Sequence, residues 1–372
     1  MKDFVLRLVA GANVAVILGM LAVGYSDRIN PAEHPLAASA GLLFPAFLAA
    51  NVALLMFWLV VRKLWAAIPV AGLILAYQPV RTYAPLNVPR EAPEGALKVM
   101  SYNVYGFATW TDPSQPSEIL AYIARQRPDI LCLEEMGGGA RQRAIADSTL
   151  RAMYPHADTA RAKGGGDETG LYSRFPILRK QRIAYESKTN HSAAFWLLTG
   201  PRDTTIVVVC HLETTGLSPE DRAQFHRMMK GDVPRDDVPR ESRVLWHKLG
   251  QSAAIRAPQA DSVAAFVRRH QGQSIILAGD FNDSPISYAR RRLASVLNDC
   301  YTATANGPGI SYHYNNFYVR IDNIMCSEHW TPYACRVDNT IKASDHYPIL
   351  CSLVRGGTRP GQSATPKNDN EK

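Results

Sequence analysis

The hydrophobic and polar residues divide the chain into an apolar N-terminal segment and a longer part in which short apolar runs alternate with polar ones. Residues 1–80 contain only eight charged side chains, and three stretches, 8–24, 35–61 and 64–80, contain none. A helix of about 20 apolar residues crosses a bilayer, and about 17 is the lower limit. The pattern predicts a transmembrane anchor in residues 1–80, with spans at about 4–24, 36–61 and 64–80.

Two of these stretches allow another interpretation. Lys2 and Arg7, followed by an apolar run and the small residues 22–24, also fit a cleaved signal peptide. The longer apolar run that follows favours an uncleaved helix. Pro69 and Pro79 in the third stretch fit a kinked or re-entrant span, or a buried core helix, so two to three transmembrane helices are expected.

Basic residues indicate how the anchor is oriented. Lys2 and Arg7 precede the first span, and Arg62 and Lys63 follow the second. Because positive side chains near short loops stay in the cytoplasm, both points are expected on that side. Three spans then place the rest of the chain outside. We therefore expect a multi-pass protein of the cell inner membrane whose main domain faces the periplasm, whereas loss of the third span would reverse that side.

The remainder of the chain alternates between strand-like and helix-like patterns. Residues 81–96, with three prolines, predict an extended Pro-rich linker, and residues 356–372 predict a disordered tail. Strands are predicted at 97–104, 129–135, 205–213, 274–279, 320–326 and 348–354, and helices at 117–126, 140–153, 260–270 and 287–297. This mixture predicts an α/β fold in which helices cover sheets, over residues 97–355.

Composition and charge narrow the possibilities. With 47% hydrophobic and 20% charged residues, the chain is not a disordered protein. The net charge of +8 suits nucleic acid or an anionic membrane surface. The insertion 222–248, which mixes basic and apolar residues, fits a lipid-binding or site-covering segment, or an ordinary amphipathic excursion. Four cysteines lie in apolar runs, Cys300 and Cys335 lie in more polar surroundings, and no pair has zinc-finger spacing.

Polar side chains stand where the predicted strands end or begin. They are Asn103, Glu134, Glu135, His211, Asp280, Asn282, Asp322, Asp345 and His346. A turn, a helix cap or an ordinary hydrogen-bonded histidine explains any one of them alone. Six such places in one domain instead favour a common cleft at the strand ends.

The carboxylates among these residues bear on metal binding. Carboxylates gathered in one cleft repel each other unless they are protonated or bridged by a cation. A site rich in oxygen and poor in nitrogen suits Mg²⁺ or Mn²⁺ rather than zinc. The alternative is a solvated acidic rim without a metal.

The order of the motifs resembles that of the endonuclease/exonuclease/phosphatase superfamily, which includes deoxyribonuclease I. The matching pieces are Ser-Tyr-Asn103, Leu-Glu-Glu135, His211-Leu, Gly-Asp280-Phe-Asn282, Arg-Ile-Asp322 and Ser-Asp345-His346-Tyr-Pro. The apolar N-terminal segment resembles that of membrane-anchored bacterial members. The resemblance implies a four-layered α/β sandwich and metal-dependent hydrolysis of phosphoester bonds.

The resemblance also implies a role for each matching residue. Glu135 is the principal metal ligand, and Asn103 and Asp345 lie close to the metal or the phosphate. Asp280 and Asn282 orient the attacking water and hold a phosphate oxygen. Asp322 fixes the tautomer of His346. His211 stabilises the charge that develops on the phosphate or protonates the leaving oxygen, so Asn103, His211 and Asn282 are the expected substrate contacts.

Two positions depart from the family pattern. Glu134 stands where a glutamine is usual, and Glu135 is retained as the ligand because neighbouring residues on a strand point to opposite faces. Asn323 follows Asp322 where many relatives have an aromatic residue or histidine.

The function expected from these observations is that of a membrane-anchored, Mg²⁺- or Mn²⁺-dependent phosphodiesterase. Its substrate would be nucleic acid or a phospholipid head group, and no obligate protein partner is inferred. The alternatives are a phosphomonoesterase that acts on small phosphorylated compounds and a non-catalytic, membrane-tethered binding module.

Overall fold

Two six-stranded sheets carry the part of the chain from residue 97 onward. The computed structural model describes residues 2–161, 167–230, 232, 236, 238–314 and 317–356, so the predicted tail lies outside them except for Gly356. The strands are β1 (Leu97–Asn103), β2 (Ile130–Glu134), β3 (His156–Arg161), β4 (Glu168–Ser173), β5 (Ile177–Ile183), β6 (Ser192–Leu198), β7 (Thr204–Cys210), β8 (Ser274–Asp280), β9 (Asn298–Asp299), β10 (Asp322–Cys326), β11 (Trp330–Val337) and β12 (Ile349–Arg355).

Eleven α-helices accompany these strands in the described residues. They are α1 (Lys2–Gly24), α2 (Pro35–Ala38), α3 (Phe44–Val61), α4 (Ala67–Leu75), α5 (Tyr77–Tyr83), α6 (Glu118–Gln126), α7 (Ala140–Met153), α8 (Pro219–Lys230), α9 (Val238–Arg269), α10 (Tyr288–Ala294) and α11 (Cys300–Thr304). Short 3₁₀ helices occupy Ser26–Arg28, Ser39–Leu43, Lys63–Ala66 and Tyr105–Phe107.

The sheets form the two inner layers of a sandwich. One has the strand order β11-β12-β1-β2-β4-β3 and the other β5-β6-β7-β8-β10-β9. Their facing sides bury a common apolar core that includes Val99, Cys132, Val207 and Ile276. Helices α6 and α7 cover one outer face, and α9 and α10 cover the other. The four-layered α/β sandwich is therefore confirmed.

The central strands are parallel pairs, and this arrangement positions the site. Strand β1 pairs with β2 in parallel, as β7 does with β8, while the other pairings are antiparallel. Strand β2 is buried at every position, as expected when both faces of a parallel pair are covered. The carboxyl ends of β1, β2, β7 and β8 deliver the polar residues that follow them.

Two details differ from the sequence-based expectations. Helix α9 begins at Val238 rather than at residue 260, because Pro258 is accommodated inside the helix and apolar residues on both sides of it are buried. The expectation of polar surroundings for Cys300 and Cys335 is wrong, since both lie in the core between the sheets. All six cysteines are buried free thiols.

The N-terminal helices form a bundle joined by buried polar side chains. Residues Asp3–Arg28 and Pro35–Val61 are each long and apolar enough to cross a membrane, and Lys63–Leu75 with Tyr77–Tyr83 forms a third candidate bent by 71°. Asn13 Nδ2 donates to Asn51 Oδ1 (3.3 Å), and Asn51 Nδ2 donates to the Pro69 carbonyl (3.1 Å). These bonds link α1, α3 and α4 and satisfy polar groups where water is excluded.

Contacts at the two ends of the bundle define the direction of its helices. Asp3 and Arg62 form an ion pair at 2.7 Å, so α3 returns to the end where α1 begins. Tyr25, just beyond α1, donates its hydroxyl to the Leu75 carbonyl at 2.8 Å. Helix α4 therefore runs back to the end of the bundle where α1 stops, which is the end that meets the sandwich.

The segment between the bundle and β1 is fastened to the sandwich. Of the predicted extended linker 81–96, residues 81–83 belong to helix α5, and residues 84–96 contain no helix or strand. Asn87 Nδ2 donates to the carbonyls of Thr302 (3.2 Å) and Ala305 (2.6 Å), and the Arg320 guanidinium donates to the Thr82 and Tyr83 carbonyls. The bundle is thus held to the sandwich by specific contacts as well as by the covalent connection.

Candidate active site

The two sheets contribute side chains to one cluster at the carboxyl ends of their central strands. Asn103, the last residue of β1, donates its Nδ2 to Glu135 Oε1 (3.0 Å) and to Asp280 Oδ2 (3.2 Å). Glu135 directly follows β2 of the same sheet, whereas Asp280 ends β8 of the other. The Asn103 amide therefore joins the two sheets at the cluster.

His346 lies in this cluster against a buried carboxylate. Its Nδ1 is 2.9 Å from Asp322 Oδ2, and its Nε2 is 3.7 Å from Asp280 Oδ2. Burial alone would lower the pKa of His346, but the carboxylates of Asp322 and Asp280 raise it well above the ordinary value. The contact at Nδ1 orients the ring so that Nε2 faces Asp280.

His211 has an equivalent partner that the sequence did not reveal. Its Nδ1 is 2.6 Å from Asp167 Oδ2, and its Nε2 is 3.8 Å from both Glu135 Oε1 and Asp280 Oδ2. Burial alone would lower the pKa of His211, but Asp167, together with Asp280 and Glu135, raises it to about 10. Asp167 precedes β4 without an apolar run before it, so the pattern that identified the other residues does not mark it.

Asp280 and Asn282 are held by the turn that follows β8. The Asn282 backbone amide donates to Asp280 Oδ1 (2.7 Å), and its Nδ2 donates to the Leu212 carbonyl (3.0 Å). Burial and the neighbouring Asp322 raise the pKa of Asp280 to about 6, against the opposing effect of His346 and His211. A carboxyl group with a pKa near neutrality is suited to accept a proton.

The neighbouring residues Glu134 and Glu135 have opposite environments. Glu134 is fully buried and accepts a bond from Ser101 Oγ (2.9 Å), and burial followed by repulsion from Asp322 raises its pKa well above the ordinary value. The Glu135 side chain is 37% exposed and lines the cavity of the site. The Glu135 backbone is left-handed (φ 53°), which turns the chain away from the line of β2.

Asp345 and Asn323 complete the set of residues considered from the sequence. Asp345 lines the same cavity as Glu135 and His346, and burial raises its pKa, with His346 acting in the opposite direction and Glu135 in the same one. Ser344 donates its hydroxyl to the Asn103 carbonyl (2.8 Å) and so ties this segment to β1. Asn323 is buried and donates its Nδ2 to the Ile321 carbonyl (2.8 Å).

The donor set fits a divalent cation. Asp280, Asp322 and His346 each offer a ligand atom, and these atoms lie within 4.8 Å of one another. His211 Nε2 and Asp322 Oδ1 are buried without a hydrogen-bond partner. In the part of the chain that the structure describes, no Lys or Arg pairs with any carboxylate of the cluster. Clustered carboxylates without basic partners suit an oxygen-preferring metal such as Mg²⁺ or Mn²⁺.

Three further residues border the site and were not singled out from the sequence as site residues. The Tyr312 ring meets the His346 ring edge to face at 5.0 Å. Arg222, which belongs to the predicted insertion, donates from Nη1 to the Tyr312 hydroxyl at 2.6 Å. Tyr105 lines the cavity and is 42% exposed. No feature of local sequence distinguishes these residues, because each reaches the site only through tertiary contacts.

Comparison of the sequence with known families accounts for this arrangement. The profile of the endonuclease/exonuclease/phosphatase family matches residues 100–346, more than half of the chain. The chain belongs to this family. As a member of the endonuclease/exonuclease/phosphatase family it is a hydrolase of phosphoric esters, and the enzymes of the family depend on divalent metal ions, in agreement with the buried Asp-Asp-His cluster.

The N-terminal segment has a separate match. The profile of a domain of unknown function (DUF8431) matches residues 6–83, which contain the helical bundle. No curated protein sequence matches the chain.

Solved structures of low sequence identity are similar to this chain. D. rerio TDP2 complexed with a single-strand DNA product is 17% identical, and the alignment covers 70% of this chain and 100% of that one with a TM-score of 0.50. Sphingomyelinase C from Streptomyces griseocarneus is 18% identical over 70% and 99% of the two chains, with a TM-score of 0.49. A family member from Beutenbergia cavernae is 19% identical over 70% and 72%, also at 0.49. At these identities the likeness concerns the fold alone.

Proposed function

We propose that this hydrolase is a membrane-anchored, Mg²⁺- or Mn²⁺-dependent phosphodiesterase in which water attacks phosphorus in line with the leaving oxygen. The observation that carries the proposal is the single cluster in which Asn103, Glu135 and Asp280 meet two histidines. Each imidazole is oriented by its own carboxylate, and both Nε2 atoms face Asp280. One cluster therefore supplies a proton acceptor between two groups that hold positive charge.

The protein residues act on the substrate from fixed positions. Asp280 accepts a proton from the attacking water, which Asn282 helps to orient. His346, held by Asp322, and His211, held by Asp167, compensate the negative charge that develops on the phosphate. One of the two donates a proton to the leaving oxygen.

The metal would be held chiefly by Glu135, with Asn103 and Asp345 near it or near the phosphate. When bound, a divalent ion polarises the phosphate oxygens and offsets their charge. In this proposal Asp280, Asp322 and His346, whose ligand atoms lie within 4.8 Å of one another, have proton-transfer and orienting roles and are not the chief metal ligands. The carboxylates Asp280 and Asp322 still support binding of a cation beside Glu135, because their mutual repulsion falls when one is present.

We further propose that the bundle crosses the cell inner membrane and that the catalytic domain faces the periplasm. The spans supporting this are two long apolar helices and a third, bent segment. The basic residues Arg62 and Lys63 lie at the end of the bundle away from the sandwich, and positive residues favour the cytoplasmic side. Residues 81–96 would then connect the membrane to the domain, which spans residues 97–355.

The activity is tested on the full-length protein in detergent, with Mn²⁺ or Mg²⁺ and with a chelator as the blank. Hydrolysis of bis(4-nitrophenyl) phosphate is compared with that of the monoester 4-nitrophenyl phosphate. We expect metal-dependent turnover of the diester, and a higher metal requirement in Glu135→Gln but not in the exposed control Glu94→Gln. Preference for the monoester would instead identify a phosphomonoesterase. Metal binding without turnover of either ester would indicate a binding module.

A further inference from the structure

The cavity beside the cluster is lined by polar residues of the site, here called its polar end, and by apolar side chains, here called its apolar wall, with Ser39, Ser284 and Ser287 also in the lining. Its volume is about 220 Å³. The polar end is formed by Glu135, Asn282, Asp345 and His346. The apolar wall is formed by Pro31, Ala38 and Leu42 of the N-terminal segment and by Leu217, Ala253 and Ile286 of the catalytic domain. The groups proposed to act on phosphorus and an apolar surface therefore face the same space.

The N-terminal part of this wall is packed closely against the catalytic domain. A Cβ atom on Gly41 would lie 2.0 Å from the Ile286 carbonyl oxygen, and one on Gly250 of α9 would lie 3.1 Å from the Pro35 carbonyl group. A side chain is excluded at Gly41 because the two backbones touch there, whereas at Gly250 it would require the neighbouring backbone to shift by a few tenths of an ångström. The wall is thus a fixed part of the cavity.

The same segment leads directly to the helices that are long enough to cross a membrane. Residues 25–43 connect α1 to α3 at the end of the bundle opposite the Asp3–Arg62 pair. Leu36 and Leu43 in this stretch are 46% and 44% exposed. Exposed apolar side chains at the end of a spanning helix are best solvated by lipid, so the cavity lies beside the expected bilayer surface.

The cavity lacks the row of basic side chains that a nucleic-acid strand requires. Arg222 and Arg256 are the only Arg or Lys side chains among the described residues that line it. Arg222 is bonded to the Tyr312 hydroxyl, and Arg256 forms an ion pair with Asp283 at 3.1 Å. Binding of nucleic acid depends on rows of Lys and Arg that neutralise successive phosphates. Aromatic rings such as Tyr105 and Tyr312 do line the cavity, but stacking on bases accompanies such a basic row and does not replace it. The described residues form no such row along this cavity.

We propose that the substrate is a lipid phosphodiester from the adjoining membrane, whose phosphate lies at the polar end and whose apolar part lies against the wall. This inference rests on the phosphodiesterase activity proposed above. The volume is below the roughly 300–1,000 Å³ of sites that enclose a whole drug-sized ligand. It therefore suits a head group and the first carbons of a chain, while the rest of the lipid stays in the bilayer.

The test is a chain-length series assayed with the full-length protein in detergent and Mn²⁺. The substrates are 4-nitrophenyl alkyl phosphodiesters, from ethyl to hexyl, kept below their critical micelle concentrations. We expect kcat/KM to rise with each methylene by up to about fourfold, which corresponds to ~0.8 kcal/mol per buried methylene. Leu42→Gln should flatten this dependence, as should Leu217→Gln on the catalytic-domain side. The exposed neighbour Leu36→Gln is the matched control and should retain it.

The outcomes separate this inference from the activity on which it rests. Equal kcat/KM for all chain lengths, or an unchanged dependence in both wall variants, would overturn the lipid assignment while leaving the phosphodiesterase intact. Faster hydrolysis of single-stranded DNA than of the hexyl ester would overturn it in favour of nucleic acid. Failure to hydrolyse even the ethyl ester with metal would refute the phosphodiesterase activity itself.

Discussion

Replacing Asp167 by asparagine tests whether His211 acts as a charged group. The carboxylate is 2.6 Å from His211 Nδ1, and the histidine side chain is only 1% exposed. The Asp167→Asn substitution keeps the size of the side chain but removes the charge that offsets the burial of the imidazolium. The pKa of His211 rises from 6.5 to about 10 in the folded protein, and Asp167 is its strongest favourable partner.

The pKa of His211 indicates how strongly its charged form is favoured. Burial opposes the charge, and the net rise from 6.5 to about 10 corresponds to ~5 kcal/mol in favour of the charged ring. Because Asp167 both orients the ring and is its strongest favourable partner, we expect its removal to lower kcat by about 100-fold, within the range of about 10²–10⁴ found for general acid–base groups. The lost charge also lowers the pKa of His211, so the ring loses its proton at lower pH than in the wild-type enzyme.

The assay is the pH profile of kcat for an aryl phosphodiester at saturating Mn²⁺. We expect the alkaline limb of the profile to move to lower pH in Asp167→Asn. Asp203→Asn removes a 57%-exposed carboxylate that pairs with Arg355 and should change neither kcat nor the profile. A profile of unchanged shape, with activity reduced equally at every pH, would show that Asp167 only supports the local structure and would refute the reasoning.

Two other predictions concern the second histidine and the membrane topology. His346→Ala should lower kcat by at least about 100-fold while the circular dichroism spectrum stays native. The control His329→Ala lies outside the site and should retain activity. Wild-type turnover in His346→Ala would show that His346 has no part in the mechanism. Alkaline phosphatase fused after Gly356 should be active, because that enzyme matures only in the periplasm. An inactive alkaline phosphatase fusion at this position, together with a fluorescent fusion to green fluorescent protein at the same position, would reverse the proposed orientation.

The central strands were predictable from sequence because the fold buries them on both faces. Each of the six predicted strands has a counterpart, and the polar residue that ends an apolar run, such as Asn103 or Asp280, marks the site edge. Strands β3 and β5 were not predicted, because their side chains are largely half-buried or exposed and their sequences contain no apolar run. Burial does not account for every missed strand, because β4 and β6 are buried at nearly every position and were not predicted either.

Some parts of the site could not be predicted from the sequence, because they depend on contacts between distant segments. Asp167 reaches His211 across the sandwich, and neither residue predicts the other locally. The apolar wall depends on the packing of Gly41 against Ile286, two residues far apart in the chain. The side chains at the ends of predicted strands could be identified from the sequence. The residues that contact them from separately packed segments could be identified only from the structure.

The pairing of the first and last strands of the catalytic domain determines when the enzyme can become active. Strand β1 pairs with β12 through a register that places Leu97 opposite Leu353, and His346 lies just before β12. Residues 84–355 take roughly 15–50 s to synthesise at about 5–20 residues per second. Helices α1–α5 leave the ribosome before β12 is synthesised, and until then one side of β1 has no partner. In the membrane topology proposed above, insertion of the bundle therefore precedes assembly of the active site, and the nascent chain is held at the bilayer before it can hydrolyse any ester.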